Sequence, residues 1–298
     1  MLSFLPSFIT MPLAFILFCI NVTLCGSLVF MGGILKLLVP IKAWHQLLYK
    51  PMHAAYRLWP LLNLLVVRLF NKVQWQIIGA EQLDKNSWYL LIANHQSWLD
   101  IFVLTCFARD RISEPKFFLK DSLKKVPFVG MACWALDMPF MKRYSSEFLA
   151  KNPHLKGQDI ETTRKSCQNF REQPTTIINF VEGTRITPEK HQQQQSPFRA
   201  LLSPKAGGIA FTLATLGEQF DKILNITILY PDNDGHVMKD MLTGKLTKVV
   251  VHVEQLDVSE QVIGDYFQDR DFKANFQGWL NQLWLKKDQL ILDLKAKY

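Results

Sequence analysis

The first 35 residues contain no Asp, Glu, Lys, Arg or His, and this restricts the fold more than any other feature of the chain. The run "MPLAFILFCINVTLCGSLVFMGGIL" is longer than the roughly 20 apolar helical residues that cross a bilayer core. A cleaved signal peptide fits less well, because no positive charge precedes the run, the apolar stretch is long and no small-residue cleavage site closes it. The segment is therefore expected to be a retained membrane anchor. From Lys36 to Lys72 there are six Lys or Arg and no Asp or Glu, and the positive-inside bias places the chain after the anchor in the cytoplasm. Within this basic stretch, "LWPLLNLLVVRLF" is short for a span and carries Pro60, Asn63 and Arg68. It is expected as a helix lying at headgroup depth, with a buried core helix or a returning span as the alternatives.

A 298-residue chain exceeds the roughly 250 residues of a typical large single domain, so one catalytic-size domain, 73–298, behind an attachment, 1–72, is the natural division. The formal net charge of +8 raises the possibility of a nucleic-acid partner. The excess, however, flanks the apolar segment, where each basic residue attracts anionic lipid by about 1 kcal/mol, and a membrane rather than a nucleic acid is expected. The five cysteines form no C-x-x-C pair, which points to neither a metal site nor a disulfide framework.

Beyond the basic stretch, short apolar runs alternate with longer amphipathic ones, the pattern of an α/β domain. "VQWQIIG", "WYLLIA", "KFFLK", "DMPFM", "TIINFV", "LNITIL" and "KVVVHVE" read as strands. "IFVLTCFA", "DIETTRKSCQNFRE", "KAGGIAFTLATLGE" and the C-terminal "FKANFQGWLNQLWLKKDQLILDLK" read as helices. No glycine-rich phosphate cradle and no G-x-S-x-G elbow follows any strand.

Three stretches carry candidate chemistry. In "NHQSWLD", His95 and Asp100 are five positions apart, which on a helix turns the side chains about 140° away from each other. They can meet only if His95 sits in the turn before a helix that Ser97 caps and Asp100 begins. The carboxylate would then fix the tautomer and steady the imidazolium while the other ring nitrogen takes a proton from a hydroxyl; a structural histidine satisfied by its surroundings is the alternative. "NFVEGTR" ends a strand with Glu182, Gly183, Thr184 and Arg185: the glycine, hydroxyl and guanidinium form either a phosphate grip or a solvated turn, while Glu182, itself unsuited to an anion, is expected to orient Arg185 or bond a substrate hydroxyl. "PFMKRYSS" offers Lys142 and Arg143 as a second cationic clamp or another surface turn. Upstream, "FFLKDSLKKVPFVG" sets Lys120 at a strand end before a basic segment that faces either the membrane or the site.

Together with "ILYPD", these blocks occur in the order and approximate spacing of the glycerolipid acyltransferases, and from about Phe70 to Tyr230 the chain resembles that family, in particular the 1-acylglycerol-3-phosphate acyltransferases. "LLSPKAGG" is similar to one of its connecting segments. The resemblance implies a single cytosolic glycerol-phosphate-acyltransferase-like α/β domain, with a mixed sheet flanked by helices. It also implies transfer of a fatty acyl group from a thioester, of coenzyme A or of acyl carrier protein, to the free hydroxyl of a lysophospholipid, most simply 1-acylglycerol 3-phosphate. His95 and Asp100 would be catalytic; Arg143, Glu182, Gly183, Thr184, Arg185 and Lys120 would bind substrate; no metal or resident cofactor would be required. The competing expectations are an acceptor with another headgroup, a thioesterase or lipase using water, and a non-catalytic lipid-binding membrane protein.

Overall fold

A computed structural model describes residues 2–138, 140–141, 173–233 and 235–298. The chain divides into two compact units, one built from residues 1–70 and 116–173 and the other from 71–115 and 174–298. The described residues 116–138 and 140–141, which a single cut near residue 72 assigns to the catalytic part, group with the N-terminal helices.

The first unit is dominated by helices α1 (Ser7–Leu38) and α2 (Lys42–Phe70), which pack along each other. α1 inverts the pattern of a water-soluble amphipathic helix. Its buried stripe is small or polar, including Ala14, Asn21, Cys25, Gly32 and Gly33, whereas Phe8, Phe15, Ile20, Leu24 and Met31 face outward. The glycines are needed for close approach: a Cβ on Gly32 would lie 2.4 Å from Cγ of Met52, and one on Gly33 2.5 Å from Cβ of Ala135. Asn21 Nδ2 donates to the Asn63 side-chain oxygen at 2.5 Å and to the Trp59 carbonyl at 2.9 Å, the small-residue and polar pairing that joins helices in lipid. The second apolar run is not an isolated interfacial helix but the C-terminal half of α2, which continues through Pro51 and Pro60. Packing against α1 outweighs the helix-breaking propensity of both prolines.

The rest of this unit comprises β4 (Leu119–Lys120), a 3₁₀ turn at Asp121–Lys125, α4 (Val129–Ala135) and β5 (Phe140–Met141). α4 lies against α1, and its end joins Val29, Leu48, Met52 and Ala55 in an apolar cluster. The expected strand "KFFLK" is split, because β3 (Glu114–Phe117) belongs to the large sheet whereas β4 pairs with β5. The expected helix "DIETTRKSCQNFRE" lies outside the described residues.

The second unit is built on a six-stranded sheet of order β1-β8-β7-β2-β6-β3. Its remaining strands are β1 (Gln74–Ile78), β2 (Tyr89–Ala93), β6 (Thr175–Phe180), β7 (Lys222–Leu229) and β8 (Lys248–Asp257). β2 runs parallel to both β6 and β7, and β8 runs antiparallel to β7, so the sheet is mixed. Every residue of β2 is buried, which explains why it reads as an unbroken apolar run rather than an alternating one. The helices are α3 (Leu99–Arg109), α5 (Pro188–Gln193), α6 (Ala206–Leu216), α7 (Val237–Leu242) and α8 (Arg270–Lys297). α8, capped by the Asp269 side chain, packs on α6 and β7.

In-register pairing explains where chemistry can gather. Ala93 at the end of β2 lies opposite Phe180 at the end of β6 and opposite Ile226 of β7. The loops that leave the carboxyl ends of these three parallel strands therefore emerge side by side, at the edge where α/β sheets place their sites.

Candidate active site

The turn from β2 into α3 is held from below. Asn94, fully buried, extends the ladder with its side chain: Nδ2 donates to the Ile228 carbonyl and Oδ1 accepts the Ile228 amide, both at 2.9 Å. Gln96 Nε2 donates to the same carbonyl at 2.8 Å. α3 begins at Leu99 with Trp98, not the expected Ser97, as its N-cap and without a side-chain cap bond; Ser97 stands one residue earlier, where its hydroxyl accepts the Leu99 amide at 3.2 Å.

Asp100 is 0 % exposed. Its Oδ2 accepts from His95 Nδ1 at 2.8 Å, from the Gln96 amide at 2.6 Å and from the Ser97 amide at 2.8 Å, and its Oδ1 accepts from the Tyr230 hydroxyl at 2.7 Å. The expected meeting of His95 and Asp100 across a strand-to-helix turn is thus present. With Nδ1 donating to the carboxylate, Nε2 carries the lone pair, and among the described residues nothing hydrogen-bonds it. The imidazole lies 4.0 Å from the Phe180 ring and nearly parallel to it, and 12 % of its side chain is exposed. Packing on one face and a charge-assisted bond on one nitrogen hold the ring so that it presents the other nitrogen.

Tyr230 closes this network from the far side. Burial, and then the Asp100 charge beside it, push its phenol well above the usual range, which keeps it a donor. The sequence shows a tyrosine in the fourth block but not what it touches. Asp232, two residues on, accepts from Thr247 Oγ1 at 2.7 Å.

The loop after β6 lies against the same turn: the Ile186 amide donates to the His95 carbonyl at 2.9 Å. Gly183 has φ +70, a left-handed conformation that glycine adopts without strain. Its missing side chain leaves room for Lys205: a Cβ there would stand 3.2 Å from Lys205 Cδ and 3.6 Å from Nζ. Lys190 Nζ donates to Thr184 Oγ1 at 2.7 Å and to the Arg185 carbonyl at 3.2 Å. The Arg185 guanidinium stacks 4.6 Å over the half-exposed Trp98 ring, tying this loop to the start of α3. Gly183, Thr184 and Arg185 are therefore gathered with Lys190 and Lys205 in a cationic turn, and neither lysine was singled out by sequence.

Glu182 does not face that turn. It is 0 % exposed; one oxygen accepts the His95 amide and the other the Leu202 amide, each at 3.2 Å. An anion would repel a phosphate, and this one is turned inward, where it braces the backbone that carries His95. Burial pushes its carboxyl well above the usual range, against the pull of those two amides and of Lys287. Of the other expected substrate residues, Lys120 ends β4 in the first unit, and Arg143, with Lys142, lies outside the described residues. Among the described residues no group of three or more His, Cys, Asp or Glu is placed to hold a metal ion.

A histidine–aspartate pair thus lies beside a cationic turn at the carboxyl ends of parallel strands. Comparison with known proteins settles the class: the chain belongs to the acyltransferase family, whose model, described as "Acyltransferase", matches residues 74–225. It is 24 % identical over 293 residues to lysocardiolipin acyltransferase 1 of Danio rerio, covering 92 % of this chain and 69 % of that protein. Over a shorter stretch of 122 residues it is 35 % identical to the 1-acyl-sn-glycerol-3-phosphate acyltransferase of Saccharomyces cerevisiae, 40 % of this chain and 35 % of that one. The fold is similar to the crystal structure of the 1-acyl-sn-glycerophosphate (LPA) acyltransferase PlsC of Thermotoga maritima, with a TM-score of 0.60 at 16 % identity over 98 % of this chain and 97 % of that one. The expected family and mixed α/β architecture therefore hold.

Proposed function

We propose that this protein transfers a fatty acyl group from an acyl thioester to the free hydroxyl of a lysophospholipid, with 1-acylglycerol 3-phosphate as the favoured acceptor and phosphatidic acid as the product. The observation that carries the reading is the His95–Asp100 pair, with Nδ1 bound to the carboxylate and Nε2 unengaged among the described residues. The pair supplies a base without a protein nucleophile, so the hydroxyl comes from the substrate. Nε2 takes the hydroxyl proton as the oxygen attacks the thioester carbonyl carbon; the tetrahedral adduct collapses, the carbon–sulfur bond breaks and the thiolate leaves with that proton. Asp100 holds the imidazolium formed in between. Only the thioester is needed as co-substrate, from coenzyme A or acyl carrier protein.

Arg185, Thr184 and Lys205 are assigned to the acceptor phosphate and Lys190 to the support of their turn; Lys120 and Arg143 are kept as further candidate contacts. Charge-assisted bonds of this kind contribute about 1.5–3 kcal/mol each, enough to order a headgroup beside the base. The outward apolar face of α1 supports insertion of the first unit into the bilayer where acceptor and product reside, and the basic residues after it favour the cytoplasmic side.

Purified protein in detergent is expected to release thiol from acyl-CoA only when lysophosphatidic acid is present. Release that ignored the acceptor would replace this reading with a thioesterase. Arg185→Ala and Lys205→Ala are each expected to raise KM for lysophosphatidic acid about tenfold or more while changing KM for acyl-CoA little; equal effects on an uncharged monoacylglycerol would remove the phosphate assignment. A second acceptor is favoured by one specific finding, the match to a lysocardiolipin acyltransferase over 92 % of the chain. Lysocardiolipin and lysophosphatidylinositol therefore belong in the same acceptor panel.

A further inference from the structure

The loop after β6 meets the catalytic turn through contacts of two kinds. The Glu182 carboxylate and the Ile186 amide hold the backbone of His95, at 3.2 and 2.9 Å, and fix how the two segments lie. The second kind joins side chains: the Arg185 guanidinium lies 4.6 Å over the Trp98 ring. Core packing does not account for a tryptophan here. Trp98 is 50 % exposed, whereas its neighbours Ser97, Leu99 and Asp100 are buried, so the indole projects out of the turn and Arg185 is what covers its face.

The cations of this loop are used differently. The Lys190 ammonium is engaged within the loop, on Thr184 Oγ1 and the Arg185 carbonyl. Among the described residues no hydrogen bond or ion pair reaches the Arg185 guanidinium. Stacking occupies only the face of a guanidinium; its five N–H donors point outward in the plane and stay open. A carboxylate in place of the ring would hold the arginine as well, but it would neutralise the charge and take the edge that grips a phosphate through two parallel bonds. A loose arginine also gives up side-chain freedom when it binds an anion, and one already laid on a ring has given up part of it beforehand.

We propose that Trp98 is a positioning residue for acceptor recognition: it holds the Arg185 guanidinium with its donor edge open to the acceptor phosphate, and so favours phosphate-bearing acceptors over uncharged ones. The proposal rests on the assignment of Arg185 to that phosphate. A Trp98 that served instead as an interfacial anchor, a common use of tryptophan at a membrane surface, would act on every lipid acceptor alike. The test uses the full chain in detergent and compares wild type, Trp98→Leu, Trp98→Phe, Arg185→Ala and the double variant Trp98→Leu/Arg185→Ala. KM is measured for lysophosphatidic acid and for monoacylglycerol, and Kd for a short-chain lysophosphatidic acid is measured by calorimetry with no acyl donor present.

Trp98→Leu keeps an apolar side chain and removes the ring. It is expected to raise both KM and Kd for lysophosphatidic acid about two- to twelvefold, the cost of ordering one long side chain on binding, and to shift KM for monoacylglycerol by less than about twofold. In the Arg185→Ala background the same substitution should add less than about twofold, because the group it positions is gone. Trp98→Phe, which keeps a ring face, is expected to fall nearer wild type than Trp98→Leu. Equal factors with and without Arg185 would overturn the proposal, as would a Trp98→Phe protein no better than Trp98→Leu. An equal rise for monoacylglycerol would overturn it in favour of the interfacial anchor. If melting curves show that Trp98→Leu does not fold, Trp98→Gln, suited to an exposed position, takes its place in the same cycle. Should the wild type acylate no lysophospholipid, the proposed function fails while the calorimetric cycle still judges this inference: coupling between Trp98 and Arg185 in Kd keeps it, and additive effects or no binding by the wild type overturn it.

Discussion

Acyl transfer by a His95→Ala protein is expected to fall by about 10²- to 10⁴-fold, the range that a positioned general base contributes, equivalent to about 2.7–5.5 kcal/mol of barrier. The loss should appear in kcat rather than in KM, because the imidazole meets the reacting hydroxyl and not the phosphate. The protein should remain folded: Asp100 keeps the Gln96 and Ser97 amides and the Tyr230 hydroxyl, three of its four donors, and the vacated space borders solvent on one side. A thiol-release assay with saturating lysophosphatidic acid, alongside a melting curve, checks both parts. Residual turnover within about tenfold of wild type would mean that another group removes the proton.

The second large effect is expected from Asp100→Asn. An asparagine can keep its carbonyl oxygen where Oδ2 receives His95 Nδ1 and the two backbone amides, and direct its NH₂ toward Tyr230, whose hydroxyl turns to accept it. The turn survives, but the negative charge that steadies the imidazolium is gone. In the general template, that change alone costs about 10⁴ in kcat, and a loss of about 10³- to 10⁴-fold is expected here. Tyr230→Phe provides the contrast: it removes one bond to a carboxylate that retains three, worth about 1.5–3 kcal/mol, and leaves the charge in place. A pH–rate profile separates the two variants. If Asp100→Asn loses no more than Tyr230→Phe, the carboxylate acts through geometry alone and the imidazolium assignment fails.

Much of the site was legible before the fold because its parts are local. Helical arithmetic placed His95 and Asp100 within reach only across a strand-to-helix turn, and that turn is present. The glycine before Thr184 and Arg185 offered a flexible backbone, and the structure uses it in a left-handed conformation. Glu182 was expected to orient Arg185 or bond a substrate hydroxyl, and instead it is buried against the His95 and Leu202 amides. Which way it faces depends on the Leu202 amide 20 residues away. Tyr230 could be located but not assigned, since its partner lies 130 residues earlier. One signal was present and overlooked: in α8 the buried positions Phe276, Leu280, Leu283, Trp284, Ile291 and Leu294 follow helical spacing, and Lys287 and Asp288 fall within that stripe. Two charged residues on an apolar face mark buried partners.

By itself the sequence determined the class of fold, the charge-free first 35 residues and the strand-to-helix turn that pairs His95 with Asp100. All of these are set by periodicity, composition and spacings of a few residues, quantities that a linear chain carries. Tertiary structure alone decided that residues 116–138 and 140–141 group with the N-terminal helices, that Glu182 accepts the His95 amide, that Lys190 and Lys205 gather at the cationic turn and that the last helix bonds the strap 199–202. These depend on which strands lie side by side and in what register. Parallel neighbours distant in sequence bring their carboxyl ends together only once the buried sheet has formed.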